Sequence, residues 1–524
     1  MILLPEDCLR EIFRYLEHDR RIHDLHSCLL VNRMWCDTIV PILWKNPIGI
    51  SWENKGTENL FGWDNIKTNE FWERFARTTL SCLPSESRKL LMNYNIKLNI
   101  KIPEYSTFNY VGYIQFISYR IILRCIEEIL DDKINSNGNI LENEIWKMFM
   151  NKCSNIKYLE PTYIPIYYFP GGMTCLQNLI ELECSTDVSS KFYFGLAQSC
   201  RNIQRMSIEI CETNTIIDNP GLLSLIESQN GLKEVRLTSF NQTFPKLGEV
   251  LIKHVDTLTS LNFINFVCIT IDSLNQLVNI KKLYICFPYG YNFRLLKFIN
   301  LPRIEIINIQ GGNGRSYDDL SLFKEYGQMI EKTQSTIREI FVDIDEWPEE
   351  EGMIIYYMKS LIKNCPMLEV AKIWFIEGHL EIFEDFLTRC EHLKKLIIES
   401  TSITGFWNSV EVGPLFNILA NKTKNLNELT FIGILNYSSD DLIKFLESWR
   451  SKKKLYITFD RNSNFAQYRD ILESFKSEGI LKGWKILNDD TDNNNRFQQN
   501  NDDDDIESDI VDTPSESDMF DTYY

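Results

Sequence analysis

Cys390-Glu391-His392-Leu393-Lys394-Lys395-Leu396-Ile397-Ile398 carries the pattern that organises most of this chain: a short lead-in, then apolar residues at Leu393, Leu396 and Ile398. The same apolar-x-x-apolar-x-apolar core recurs on both sides of it. Units begin at Ile156, Leu179, Ile203, Leu232, Leu258, Ile280, Ile304, Ile337, Leu368, Leu393 and Leu426, and a last one keeps only Leu455 and Ile457. Successive starts lie 22 to 33 residues apart, near the period of strand-plus-helix repeats. Alternation places Leu396 and Ile398 on one face of a short strand, with Lys395 and Ile397 on the other. Between strands, Glu381 to Leu387 and Asp440 to Leu446 have helical periodicity. A single unit of this kind cannot bury its apolar face, and stacking supplies the core. The expectation is an α/β solenoid of about twelve repeats spanning residues 153–487.

Several units share a cysteine lead-in: Cys153-Ser154-Asn155, Cys200-Arg201-Asn202, Cys365-Pro366-Met367 and Cys390-Glu391-His392. This resembles the cysteine-containing leucine-rich repeats that often follow an F-box, and the resemblance implies a horseshoe. The family usually places Asn or Cys three residues after the last core apolar. Here only Cys211 does so, while Phe240, Phe266, Pro288, Gly312, Asp345 and Ile376 hold the equivalent places, so the repeats are degenerate. Outward-facing strand residues of such a solenoid line its concave surface. The central row reads Glu160, Glu183, Ser207, Arg236, Asn262, Tyr284, Asn308, Phe341, Lys372, Ile397, Thr430 and Tyr456. The flanking row before it reads Tyr158, Glu181, Arg205, Glu234, Ser260, Lys282, Ile306, Glu339, Val370, Lys395, Glu428 and Lys454; together the early strands lean acidic and the late ones basic. Aromatic anchors in a polar rim suit a protein partner, so Arg236, Tyr284, Phe341, Lys372 and Tyr456 are the candidate target contacts.

The first 46 residues form a different unit. Leu9, Ile12, Phe13 and Leu16 fall at i, i+3, i+4 and i+7, one face of a helix opened by Pro5, Glu6 and Asp7. A second helix is expected from Asp24 as cap through Val31, and a third over 32–40, with Pro41 bending or ending it before Leu43-Trp44. Three short helices this rich in large apolar groups need a partner surface. The order Leu4-Pro5, Leu9, Ile12-Phe13, Leu16, Leu25, Val31-Asn32-Arg33-Met34-Trp35 and Leu43-Trp44 resembles the F-box. In that family the helices dock on the Skp adaptor and, through it, on a cullin. The resemblance, which covers under a tenth of the chain, implies adaptor contacts at Leu4, Pro5, Leu9, Ile12, Phe13, Leu16, Val31, Trp35, Leu43 and Trp44.

Residues 47–152 read as a helical linker that caps the array: amphipathic around Glu70 to Leu80, capped at Ser85 before Leu90-Leu91, apolar from Tyr119 to Leu130, and helical again from Glu142 to Phe149 after a break at 135–139. Its aromatics Trp72, Trp146 and Phe149 are expected in the core. Beyond Leu487 the chain turns to Asp, Asn, Gln and Ser. Residues 489–521 hold 13 acidic groups against Arg496, so about −6 of the formal charge of −18 is left for the body. A tail of that composition over 488–524 is expected to be disordered. Thr513, Ser515 and Ser517 could accept phosphate, though a solubilising tail is the simpler expectation.

Composition narrows the function classes. A nearly neutral body makes nucleic acid an unsuitable partner. The sequence lacks a signal-peptide pattern and an apolar run of membrane-spanning length, which predicts an intracellular protein of the cytoplasm or nucleus. The 14 cysteines, spread along the chain, are expected to be reduced and mostly buried. No phosphate loop, nucleophile elbow or Cys-x-x-Cys is present. Gly311-Gly312-Asn313-Gly314 reads as an inter-repeat turn, and His18, His23 and His26 lack metal-ligand spacing. No cofactor, metal or catalytic residue is expected. The reading is a non-catalytic substrate-recognition subunit of a Skp–cullin–F-box ubiquitin ligase; the alternative is a leucine-rich-repeat scaffold with no ligase role.

Overall fold

The computed structural model describes residues 5–18, 22–49, 69–130, 136–211, 218–239, 243–287, 293–311, 322–343, 351–376, 378–401, 410–433, 435–460 and 468–487. Leu4, the Gly312–Gly314 turn and the acidic tail lie outside these residues.

The repeat core becomes a sheet. Its strands are β1 (Phe116–Ser118), β2 (Tyr158–Glu160), β3 (Glu181–Ser185), β4 (Arg205–Glu209), β5 (Glu234–Thr238) and β6 (Ser260–Ile264). Next come β7 (Lys282–Phe287), β8 (Ile306–Gly311), β9 (Glu339–Asp343), β10 (Val370–Ile376) and β11 (Lys395–Thr401). The last are β12 (Val410–Glu411), β13 (Glu428–Ile432), β14 (Leu435–Asn436), β15 (Leu455–Asp460) and β16 (Leu481–Leu487). All but β12 and β14, which pair with each other, form one 14-stranded sheet whose order is the chain order. Neighbours pair in parallel from β1 to β16. Between strands the chain returns through helices such as Leu380–Arg389 and Ser439–Ser448, which cover the apolar face. One strand per turn with helical backing is the architecture of a solenoid.

The apolar positions stack in register: Leu182, Met206, Val235, Leu261, Leu283, Ile307 and Ile340 lie side by side on consecutive strands and are all buried. Two strands of the long sheet, and the short β12–β14 pair, escaped the sequence pattern. β1 lies inside the segment read as a purely helical linker, and β16 follows the last recognised unit; at three residues β1 is too short to show alternation. The register also corrects one row. Tyr456 pairs with Glu428, so Thr458, not Tyr456, continues the central row after Thr430. With Leu455 and Ile457 alone, the truncated unit offered two apolar positions that fit either alignment. Among the described residues β16 is the last strand of the sheet, and its Lys482 and Lys485 discourage pairing with another chain.

The cysteine lead-in has a physical reason. Cys200 Sγ donates to the carbonyl of Leu176 (3.2 Å) and Cys390 Sγ to that of Cys365 (3.4 Å), each the equivalent residue one repeat earlier. In the unit between Cys200 and Leu232, Gln229 takes this place, donating to the Cys200 carbonyl (2.9 Å) and accepting from the Ile203 N–H (3.0 Å). A small group with a weak donor fits such a buried inter-turn gap. All 14 cysteines are free, and most are buried, where desolvation pushes the Cys200 thiol up to about 11.

Ahead of the sheet, helices α1 (Glu6–His18), α2 (Ile22–Leu29) and α3 (Arg33–Leu43) form a small module. They are followed by α4 (Asn69–Ser81), α5 (Ser85–Asn93), α6 (Tyr110–Tyr113), α7 (Tyr119–Ile129) and α8 (Ser136–Lys152). Asp24 lies in the first turn of α2 rather than capping it, because the helix begins at Ile22. Helix α3 runs through Pro41 to Leu43: the proline lacks one donor, yet the Val40 carbonyl still accepts the Trp44 N–H (2.9 Å). Ser85 is the first residue of α5, with Pro84 at the cap, and α8 starts at Ser136, inside the expected break. Trp72, Trp146 and Phe149 are buried in the continuous core that runs from Ile48 to Leu481.

Leu261 sits at 0% exposure in mid-array. Leu261→Ala is expected to cost about 3 kcal/mol, the usual scale for a buried Leu truncation, seen as a lower denaturation midpoint. Lys253→Ala, at the exposed Lys253–Glu227 pair, should shift the same midpoint by under about 0.5 kcal/mol.

Candidate functional site

Two surfaces are candidates: the N-terminal helical module and the concave row of the sheet. In the module, the helical face that sequence reasoning offered to a partner divides in two. Leu9 and Phe13 are fully buried with Leu25 and Ile39 in the module's own core. Leu16, Trp35 and Leu43 lie half-buried against that core, with the Phe13 and Trp35 rings edge-to-face at 5.2 Å. Asn32 caps α3 by accepting the Trp35 N–H (3.0 Å), which fixes that ring's position. Leu9 and Phe13 are thus corrected from contact residues to internal supports.

What remains outside is Pro5, Ile12 (45% exposed) and Val31 (54%), joined by two residues the sequence reading passed over, Tyr15 (68%) and Leu30 (63%). Ile12 and Tyr15 share one edge of α1 at i, i+3, and Leu30-Val31 form the turn before α3. Tyr15 falls on the polar side of the strict i, i+3, i+4 stripe, which hid it.

Trp44 faces the other way. Its ring stacks on Phe75 of α4 at 5.7 Å and meets Tyr110 of α6 at 4.6 Å. The Lys45 carbonyl accepts the Gln115 N–H (3.0 Å), and the Gln115 carbonyl accepts the N–H groups of Lys157 and Tyr158. Lys45 Nζ also pairs with Glu17 at 2.8 Å. Trp44 is therefore corrected from a partner contact to the key that joins the module to the first strands of the sheet.

On the concave side, register brings Arg236, Tyr284 and Phe341 into one row, separated by Asn262 and Asn308. Lys372 stands two residues beyond Val370, which pairs with Glu339. Arg236, Phe341 and Lys372 are buried, however, and Tyr284 and Tyr456 are half-buried. Strands ~4.8 Å apart crowd large side chains on this face. Burial lowers the Arg236 pKa, opposed by Glu234 and Tyr158, and raises the Tyr284 phenol to about 12. A Cβ at Gly483 would come within 2.8 Å of the Tyr456 ring, so that glycine makes room for it on the last strand.

Lys372 is the extreme case, at 2% exposure. Its ammonium lies between Asp343 and Glu399 (2.7 Å), and over the Trp374 ring at 5.6 Å. Burial alone would depress its pKa, but Glu399 and Asp343 reverse this and raise it above the ordinary lysine value. Lys372 is corrected from a target contact to the centre of an internal charge cluster. The flanking row holds internal pairs: Arg205 bonds Glu181, and Lys395 pairs with Glu428 at 3.1 Å. Among the described residues, no group of three His, Cys, Asp or Glu side chains is placed to hold a metal ion, and no helix is long and apolar enough to cross a membrane.

A chain-ordered, all-parallel sheet backed by helices and preceded by a helical module defines the class, an α/β solenoid, and is consistent with leucine-rich repeats. No family model and no curated protein matches the sequence. Among solved structures it is similar to yeast Rad7, determined in complex with Elc1, at 14% identity over 59% of this chain and 76% of that one, with a TM-score of 0.39. It is also similar to the leucine-rich-repeat protein LegL7 of Legionella pneumophila, at 14% identity over 54% of this chain and 89% of that one, TM-score 0.30. A leucine-rich-repeat protein of Leptospira interrogans gives 11% identity over 64% and 96% of the two chains, TM-score 0.29.

Lys372→Met should remove about 3 kcal/mol of stability by stranding Asp343 and Glu399, read as a lower unfolding temperature. Adding Asp343→Asn and Glu399→Gln should recover most of that loss, because the isolated charges are then gone.

Proposed function

We propose that the chain is a substrate-recognition subunit of a Skp–cullin–F-box ubiquitin ligase, working in the cytoplasm or nucleus. The N-terminal module holds the Skp adaptor, and the solenoid holds a target protein. The observation that carries this reading is the exposure of Ile12, Tyr15, Leu30 and Val31 on a module whose own core is already closed by Leu9, Phe13, Leu25 and Ile39. Large apolar groups left outside a completed core are the usual mark of a docking surface. The chain makes and breaks no bond. Its contribution is proximity: a target lysine held near a charged ubiquitin-conjugating enzyme reacts at raised effective concentration. The Trp44–Phe75–Tyr110 contact matters here because a loose joint between the two halves would dilute that advantage.

The test is co-purification of the full chain with a purified Skp adaptor. Ile12→Asp combined with Val31→Asp should weaken capture at least about tenfold while circular dichroism and unfolding temperature stay unchanged, since both side chains are exposed. A folded wild-type chain that fails to bind the adaptor would replace the ligase reading with that of a scaffold.

A further inference from the structure

A cavity of about 590 Å³ opens where the helical cap meets the first repeat, lined by Leu90, Tyr94, Tyr119, Asn139, Ile140, Glu142, Asn143, Glu144, Thr162, Tyr163 and Ile164. Its size is within the range of small-ligand sites. Two acidic residues of α8, both buried, are among its lining. Glu142 Oε1 accepts from Thr162 Oγ1 (2.9 Å) and Trp146 Nε1 (3.3 Å), and no donor among the described residues reaches Oε2. Glu144, at 4% exposure, has its Oε1 3.7 Å from Lys147 Nζ and no hydrogen-bond partner at Oε2. Burial of an incompletely paired carboxylate is costly unless something neutralises it. The walls are aromatic: the Tyr119 and Tyr163 rings stand perpendicular with centroids 6.4 Å apart, and the Tyr163 hydroxyl donates to Asp187 (2.9 Å). Tyr94 and Tyr163 are exposed at the rim, over the apolar floor of Leu90, Ile140 and Ile164.

We infer that this cavity binds an organic cation, an ammonium or guanidinium group on an aliphatic stem, with Glu142 and Glu144 as its counter-charges and Tyr119 and Tyr163 as its cage. Carboxylates supply charge-assisted hydrogen bonds, ring faces attract a cation, and the apolar floor takes the stem. Such a group reaches the protein on the lysine or arginine of a bound polypeptide or as a free amine. The inference rests on the target-binding half of the proposed function and is independent of the adaptor-binding half.

The experiment is titration calorimetry of the full chain at low ionic strength. The probes are N-acetyl-arginine amide, N-acetyl-lysine amide and 1,4-diaminobutane, with N-acetyl-glutamine amide as the neutral control. Binding of a basic probe but not the control is expected. Glu144→Gln and Tyr163→Ala should each weaken it, the former about tenfold. Glu144→Gln keeps the shape and removes a buried charge, so its unfolding temperature should hold or rise. Tighter binding of the capped amino acids assigns the site to a polypeptide side chain, and tighter binding of the diamine assigns it to a free amine. Equal binding of the control, unchanged affinity in Glu144→Gln, or a large loss of stability in that variant overturns the inference, the last by making Glu144 a structural partner of Lys147. A chain that captures the Skp adaptor yet ignores every basic probe overturns this inference alone; one that binds the probes without capturing the adaptor overturns the ligase reading alone.

Discussion

Parallel pairing with the next repeat is the constraint on which everything else in this molecule depends. A strand such as β6 has neighbours on both sides only because β5 and β7 exist, and Leu261 is buried only because Val235 and Leu283 flank it. No repeat is stable by itself, so the array is built from nearest-neighbour contacts and must be closed at its ends. The backbone ladder extends this logic to the N-terminus. The Lys45 carbonyl leads through Gln115 to Lys157 and Tyr158, so the helical module is tied to the same hydrogen-bonded stack as the repeats. At the other end, β16 presents lysines where another strand would otherwise add.

This end closure gives the helical module a structural duty alongside any binding duty, and its residues divide accordingly. Leu9 and Phe13 hold it together, and Trp44 holds it to the array. Ile12, Tyr15, Leu30 and Val31 stay in water. Residues in the first two groups cannot be changed without disturbing shape, whereas those in the third can. The contacts between module and array run through Trp44, Phe75 and Tyr110.

Close strand spacing governs the outward-facing rows. It brings long side chains together, and charges held there must be compensated internally. The Lys372 cluster is the clearest result: one ammonium between two carboxylates, above a tryptophan face, with almost no access to water. Arg236, Phe341 and Lys372 are closed off in this way, while Tyr284 and Tyr456 stay half-buried and Tyr163 is exposed.

The sequence by itself determined the repeat, its period, the face each strand residue takes, and the identity of the buried ladder, because a two-residue alternation is a local property of the chain. The pairing of Glu181 with Arg205, of Asn262 with Tyr284 and of Lys372 with Ile397 follows directly from that alignment. It determined equally that the first three helices carry more apolar surface than a helix bundle of their size can hide. Only the tertiary structure decided which of those apolar groups face in, that β1 joins the sheet, and that Tyr456 belongs one row over. It alone placed Glu142 and Glu144 of α8 beside Tyr163 from the loop after β2. The reason is physical: periodicity fixes the direction of a side chain relative to its own helix or strand, whereas burial and charge environment depend on what the rest of the chain brings against it.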